Sequence, residues 1–483
     1  MPTEPIIASP LPTDPVELAS KRRILPWLVA VALFMEALDA TILNTAVPTI
    51  AESLSVGPLS MKAALTSYTL SLAVFIPISG WIADRFGTRL VFSSAIGVFS
   101  LGSLLCGMSV NMPMLVASRI LQGCGGALMM PVGRITMVRT FPRSELLKAM
   151  SFVAIPGLIG PMIGPLAGGL IVAHFNWRMI FFVNLPIGLL GLIMVYRHMP
   201  NFQGSQRTPL DIRGMLLFGS GIALLSYVLE VFGDHSLSVQ ENLVLLAVSV
   251  VLLGSYVAHA LRAKFPLLQL RLFGLRTFRT AIMGSLVTRL GIAGMPFLLP
   301  LLYQVGLGFT PIQSSLMIMP QPLAAMGLKI LMPGILSRLG YRRVLLLNTA
   351  ALGLMLLAFM MVGRGTPVWL IVIQAFLFGF LQSLQYTCIN TLVYADLSDE
   401  AASMGSSISS TVQQMSMSFG VTAASLLTIL FLGGDRDPGA DRMIGGIHQA
   451  MMIMGLWTIF SSLVFWPLKP NDGEALSSHH EED

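Results

Sequence analysis

Long apolar runs follow one another along this chain, each separated from the next by a short polar loop. A helix needs about 20 apolar residues to cross the hydrocarbon core of a bilayer. Fourteen runs of that kind are predicted as spans, near residues 25–49, 64–83, 90–110, 113–137, 146–172, 177–196, 212–232, 242–261, 278–302, 312–336, 343–363, 367–393, 403–432 and 445–467. The fold class expected is an all-α membrane protein.

Composition agrees with that pattern. Of the 483 residues 54% are hydrophobic and only 11% charged, with a mean hydropathy of +0.78. A soluble chain of this length could not hide so much apolar surface, so the partner is the lipid bilayer. Residues 1–20 are Pro-rich and polar and read as a disordered tail. No short apolar stretch with a small-residue cleavage site precedes the first span, so no removable signal peptide is expected. Cys106, Cys124 and Cys388 lie in apolar runs without metal-ligand spacing and read as packing residues. No cofactor or metal is expected.

The formal charge of +6 suggests nucleic acid until its placement is considered. With Lys21, Arg22 and Arg23 taken as cytoplasmic, 20 of the 29 basic residues fall on that side, and five (Lys62, Arg178, Arg364, Arg436, Arg442) on the other. That split follows the positive-inside rule and puts both termini in the cytoplasm. Nucleic acid is therefore not a partner. Trp27, Trp81, Trp177, Trp369 and Trp466 lie near span ends, as aromatic belts require, while Trp457 reads as interior.

The chain also repeats itself. Gly80-Trp-Ile-Ala-Asp84-Arg85-Phe-Gly87-Thr-Arg89 follows span 2, and Pro333-Gly-Ile-Leu-Ser337-Arg338-Leu-Gly340-Tyr-Arg342 follows span 10. Duplicated halves with a site at their interface are a recurring transporter plan. Two six-helix pseudo-repeats are expected, 21–200 and 266–468, with two inserted spans in 201–265 and tails at 1–20 and 469–483.

Charge inside the apolar runs is the candidate chemistry, because it is costly in lipid and commonly lines an ion or substrate path. Glu36 and Asp39 lie three apart in span 1 and share a helical face. Two close carboxylates in low dielectric disfavour double ionisation, so a proton can come and go with substrate. The alternative is a carboxylate that only hydrogen-bonds Thr41, Asn44 or a neighbouring helix. Arg119, in span 4, can neutralise Asp39, and a static buried ion pair is one reading of that contact. Asn44, Gln122, Arg289, Lys329 and Met326 are expected along the substrate cavity. Three intramembrane cations against two acids leave room for an anionic or zwitterionic cargo. The 31 methionines suit varied apolar ligands, though most will simply pack.

Gly160, Gly164 and Gly168 share one helical face with Pro165 and Gly169 beside them, a stripe that lets a neighbouring helix approach closely. Asp84, Arg85, Gly87 and Arg89 form a charged turn. Asp396, Asp399 and Glu400 occupy an inside loop without bases, so Arg85, Arg89 or Arg139 is expected to pair with these acids when the inside closes.

Four motifs together resemble the major facilitator superfamily, in its 14-helix drug:proton antiporter branch of the EmrB/QacA type. They are Leu38-Asp39-Ala-Thr41-Ile-Leu-Asn44-Thr-Ala-Val-Pro48, the Gly80–Arg89 loop, Arg119-Ile-Leu-Gln122-Gly123-Cys-Gly125-Gly126, and Gly160-Pro-Met-Ile-Gly164-Pro165-Leu-Ala-Gly168-Gly169. The resemblance spans residues 20–470, and the wording is most similar to the MdtD/HsrA-like subgroup of multidrug transporters. It implies that Arg119 senses proton occupancy of the acid and that the loop turn is a cytoplasmic latch. It further implies that the fifth-span glycine motif closes a leak. The subgroup carries glutamine where this chain has Glu36, a departure that would tune substrate.

The function expected is a proton-coupled antiporter exporting drugs or other small molecules by alternating access across a bacterial inner membrane. The alternatives are export of an anionic metabolite, siderophore or metal chelate, or a proton-coupled uptake symporter. The partners are a small-molecule substrate and protons; a monomer is expected, with a periplasmic accessory protein as an open addition. An enzyme is not expected: His174, His198, His235, His259 and His448 sit near span ends or loops, and no Gly-rich phosphate loop occurs.

Overall fold

The structure is a computed structural model that describes residues 15–204, 209–234, 238–433 and 439–473. Apolar runs become helices because, in lipid, a helix satisfies its own backbone polar groups. The first half comprises α1 (Pro15–Ser53), α2 (Pro58–Phe86), α3 (Thr88–Gly107), α4 (Met112–Thr140), α5 (Arg143–His174) and α6 (Met179–His198). Two inserted helices follow, α7 (Ile212–Asp234) and α8 (Val239–Arg262). The second half begins with α9 (Arg276–Gly306), α10 (Pro311–Ile318 continuing as 320–339) and α11 (341–359). It ends with α12 (Val368–Leu392), α13 (Asp399–Leu432) and α14 (Ala440–Ser461).

Thirteen helices among the described residues are long and apolar enough to cross a membrane. The remaining expected span, near 312–336, is α10, which is interrupted at Met319 and runs to Gly340. Gly340 has φ 71° and ψ 160°, and its counterpart Gly87, between α2 and α3, has φ 91° and ψ 143°. Only glycine takes that backbone conformation readily, so both repeats turn at the same place for the same reason.

The register of the repeat extends further. The spacing that separates Gly87 from Gly340 also separates the ends of α1 and α9, Ser53 and Gly306, and the starts of α2 and α10, Pro58 and Pro311.

The two halves meet mostly near the face that carries the α1–α2 turn, called here the far face; the opposite one is the termini face. There Gln304 Nε2 donates to the Thr45 carbonyl (2.9 Å), Ser425 Oγ to the Leu59 carbonyl (3.2 Å) and Ser418 Oγ to the Thr66 carbonyl (3.4 Å). An apolar cluster drawn from both halves fills the same region, with Leu43, Ile50 and Leu59 against Phe297, Tyr303 and Met317. Nearer the termini face the halves touch through an exposed bond from Arg134 Nη1 to Ser406 Oγ (3.0 Å).

The inserted pair closes on itself through Ser249 Oγ and the Gly221 carbonyl (2.9 Å), and α7 packs against both α2 and α13. Asp211 anchors its base, accepting from Gly214 N (2.9 Å), Leu267 N (3.0 Å) and His259 Nε2 (2.7 Å).

Two readings are corrected. Trp457 is 47% exposed on α14, and its indole N–H donates to the Val287 carbonyl. A ring with one polar atom needs only one partner, so its apolar body is left to face outward. Lys62, assigned to an outside loop, is buried at the start of the helical segment Lys62–Phe75.

Candidate functional site

Asp39 projects from α1 into the first half and is 1% exposed. Its Oδ2 accepts from Arg119 Nη1 on α4 (2.6 Å), and its Oδ1 accepts from Gln122 Nε2 (2.8 Å) and Asn184 Nδ2 on α6 (2.9 Å). Arg119 and Gln122 lie three apart on α4 and therefore reach the same acid. All three partners donate, and an ionised carboxylate is the form that only accepts. Burying such a pair is costly, and bonds to the remaining lone pairs are what make it tolerable.

The arginine is held as closely. Its Nε donates to the Ala64 carbonyl (3.2 Å), its Nη1 also donates to Gln122 Oε1 (2.6 Å), and its guanidinium lies 4.2 Å from the Tyr68 ring centroid. Asn184 continues the chain of bonds, donating to Ser103 Oγ (3.0 Å), which in turn donates to the Phe181 carbonyl (2.8 Å). One buried acid thus ties α1, α2, α3, α4 and α6 together.

Glu36 sits nearly one turn before Asp39 on α1, half-buried, and its Oε2 has no hydrogen-bond partner among the described residues. Unlike Asp39 it has room to take a proton without displacing a donor.

Gln122, expected on a cavity wall, is instead fully buried as a ligand of Asp39. The short distance between α4 and α1 draws it inward. Asn44 is half-buried on α1, and Met326 is 36% exposed on α10. Arg289, on α9, is 1% exposed; its Nε donates to Ser285 Oγ (3.0 Å) and its guanidinium lies 3.6 Å from the Tyr386 ring centroid. The side chain of Lys329 lies outside the described residues, as do those of Asp399 and Glu400.

The loop turn packs within its own half. Arg139 Nη2 bonds Asp84 Oδ1 (2.9 Å), Arg89 Nε donates to the Met199 carbonyl (2.6 Å) and Gly204 N donates to the Asp84 carbonyl (3.0 Å). Arg85 is exposed. Asp396 accepts from Thr277 Oγ1 (2.7 Å) rather than from an arginine. In this state, then, Arg89 and Arg139 are engaged away from the acidic loop.

The small-residue stripe of α5 lies against α1. A Cβ on Gly160 would meet Ala37 Cβ at 2.8 Å, one on Gly164 would collide with Thr41 Oγ1, and one on Gly168 with Thr45 Oγ1 and the Ile42 carbonyl. Thr45 Oγ1 donates to the Pro165 carbonyl (3.2 Å). Gly169 faces the other half instead, where a Cβ would reach the Pro311 carbonyl at 2.8 Å and overlap Ser315 Oγ.

Asn184 and Tyr68 were not anticipated from the residues. A lone amide in the apolar run Val183-Asn184-Leu185 was a signal, because an amide buried in lipid needs a partner.

Residues 29–421 match the family profile described as Major Facilitator Superfamily. A protein named "Putative multidrug resistance protein MdtD" from Cronobacter sakazakii (strain ATCC BAA-894) is 43% identical over 439 residues, covering 91% of this chain and 93% of that one. Its namesake from Escherichia coli O6:K15:H31 (strain 536 / UPEC) is 40% identical over 441 residues, covering 91% and 92%. Among solved structures, peptide transporter POT in complex with sulfate gives a TM-score of 0.68 at 13% identity, covering 93% of this chain and 95% of that one. A bacterial homologue of the human lysosomal transporter Spinster, inward-facing and unoccupied, gives 0.65 at 14%, covering 92% and 96%. At these identities the solved structures bear on the fold alone.

Proposed function

The chain belongs to the Major Facilitator Superfamily, whose members are transporters, and from that premise we propose that it is a proton-coupled exporter of small molecules working by alternating access. The observation that carries the reading is the buried Asp39–Arg119 pair at 2.6 Å, with the half-buried Glu36 beside it, whose Oε2 has no partner among the described residues. The names of its relatives point to drugs as cargo.

The basic residues support placing the termini face in the cytoplasm of a bacterial inner membrane. The far-face seal then makes this an outward-closed arrangement. Residues 21–200 and 266–468 are the rocking halves in this reading.

The proton acts on Asp39. A protonated carboxyl must donate one bond, but every partner of Asp39 is itself a donor, so one of them has to leave. Arg119 loses its counter-charge in that step, and it also grips α2 through Ala64 and Tyr68. Protonation therefore loosens α4 and α2 from α1. Glu36 lies nearer the termini face and carries the proton between Asp39 and water on that side. Cargo binding between the halves, on the side of Asn44, Met326 and Arg289, competes with that proton, which prevents either from leaking alone. Each charge crossing 100 mV releases about 2.3 kcal/mol, enough to drive export uphill.

The test is exchange in proteoliposomes under an imposed pH gradient with ethidium as probe. Wild type should exchange ethidium for protons, and Asp39→Asn, similar in shape but unable to titrate, should lose the coupling. Full proton-driven exchange by Asp39→Asn would remove this acid from the mechanism, and movement of probe and proton in the same direction would make the protein a symporter.

A further inference from the structure

Arg289 is almost fully buried, yet no carboxylate pairs with it among the described residues. Its Nε is taken by Ser285 and one face rests on the half-buried Tyr386, while Nη2 has no hydrogen-bond partner there. A buried cation without a counter-charge is strongly disfavoured, and stacking on an aromatic ring recovers only part of that cost. Such a charge in a membrane span marks a function by default.

We propose that Arg289 anchors an oxyanion group, a carboxylate in the first instance, on the exported molecule. The proposal rests on the export reading above and names the class of its cargo.

Position supports it. Helix α9 reaches the seam between the halves at its far-face end, where Gln304 bonds α1, and Arg289 stands midway along the same helix, against Tyr386 of α12. The spacing that relates Gly87 to Gly340 also relates Glu36 on α1 to Arg289 on α9. The repeat therefore places one carboxylate and one guanidinium at matching depths, and each keeps a polar atom without a partner among the described residues, Glu36 Oε2 and Arg289 Nη2. A planar guanidinium with Nη2 left over suits a carboxylate better than an ammonium would. The cargo's oxyanion satisfies Arg289 while Glu36 stays available to the proton. Cargo charge also sets electrical behaviour. Exchanging one proton inward for a monoanion outward moves net positive charge inward, whereas the same exchange for a monocation moves none.

The experiment compares 9-anthracenecarboxylate with ethidium in proteoliposomes of wild type, Arg289→Gln and Arg289→Lys. Wild type should exchange the carboxylate, faster when the interior-negative potential is raised in the direction of export. The ratio of carboxylate to ethidium rate should fall at least about tenfold in Arg289→Gln, the scale of losing one partner of a buried charged contact. Arg289→Lys should recover part of the ratio, and is the variant to read if the glutamine protein does not fold. A wild type that exchanges ethidium but not the carboxylate overturns the proposal, as does an unchanged ratio in the variants. If wild type exchanges neither probe, the export reading fails, and binding of 9-anthracenecarboxylate to the solubilised full chain decides about Arg289. Binding lost in Arg289→Gln upholds the anchor; no binding to wild type ends it.

Discussion

At the scale of single residues the energetics of Asp39 and Arg119 can be separated from their role in transport. Removing one partner of a buried ion pair leaves an uncompensated charge and costs about 3–5 kcal/mol, whereas replacing both by apolar groups is often neutral. Arg119→Leu should therefore unfold in detergent at markedly lower temperature, and the double variant Asp39→Leu with Arg119→Leu should recover most of that loss while remaining inactive. A double variant as unstable as the single one would mean that Gln122, Asn184 and Tyr68 require the charges to hold their places. The charged members of this cluster were legible in the sequence because an acid or arginine in an apolar run is rare enough to stand out. Its neutral members, Gln122 and Asn184, were not, since an amide gives no sign of which neighbouring helix it will meet.

Among the elements, the α1–α5 contact is the tightest constraint and the simplest to test. Gly164→Ala puts a methyl group into Thr41, and overpacking of this sort costs about 1–3 kcal/mol. Thermal unfolding should show that loss, with Thr41→Ala restoring part of it, while Gly157→Ala, where a Cβ meets open space, should stay close to wild type. Equal effects at positions 157 and 164 would rule out close approach as the reason for the stripe. The inserted pair offers a pH test at Asp211. Burial favours its neutral form, but bonds from Gly214, His259 and Leu267 outweigh this and hold the carboxyl below its ordinary value. A depressed carboxyl adds stability above the unfolded-state pKa of about 3.9 and loses it as pH falls through the lower folded value. Asp211→Asn should thus lower the unfolding temperature at pH 7, and the gap should narrow below about pH 4. A gap independent of pH would assign the effect to shape alone. Helix count and order were readable from apolar length. The break between α10 and α11 was readable as the gap between the apolar runs near 312–336 and 343–363, while its form, a turn at Gly340, was readable only in the repeated motif.

For the whole molecule, the far-face seal predicts what must open. A cross-link between Leu59→Cys and Ser425→Cys, whose native residues bond at 3.2 Å, should stop exchange, and reductant should restore it. Continued exchange by the cross-linked protein would show that this face does not separate during the cycle. Near the other face the Arg139–Asp84 pair is only half-buried and worth about 0–1 kcal/mol, so it can be given up when the halves rock. The division into halves was visible in the repeated Arg-x-Gly-x-Arg turn, but which contacts hold them together was not, since these depend on the state adopted. The inserted helices bring a last consequence. By lying over both α2 and α13, α7 keeps lipid away from one flank of the seam, while at the other flank Gly169 of α5 meets α10 directly. An amphiphile dissolved in the bilayer therefore meets two unequal flanks, one shuttered by extra helices and one closed only by the direct contact of α5 with α10.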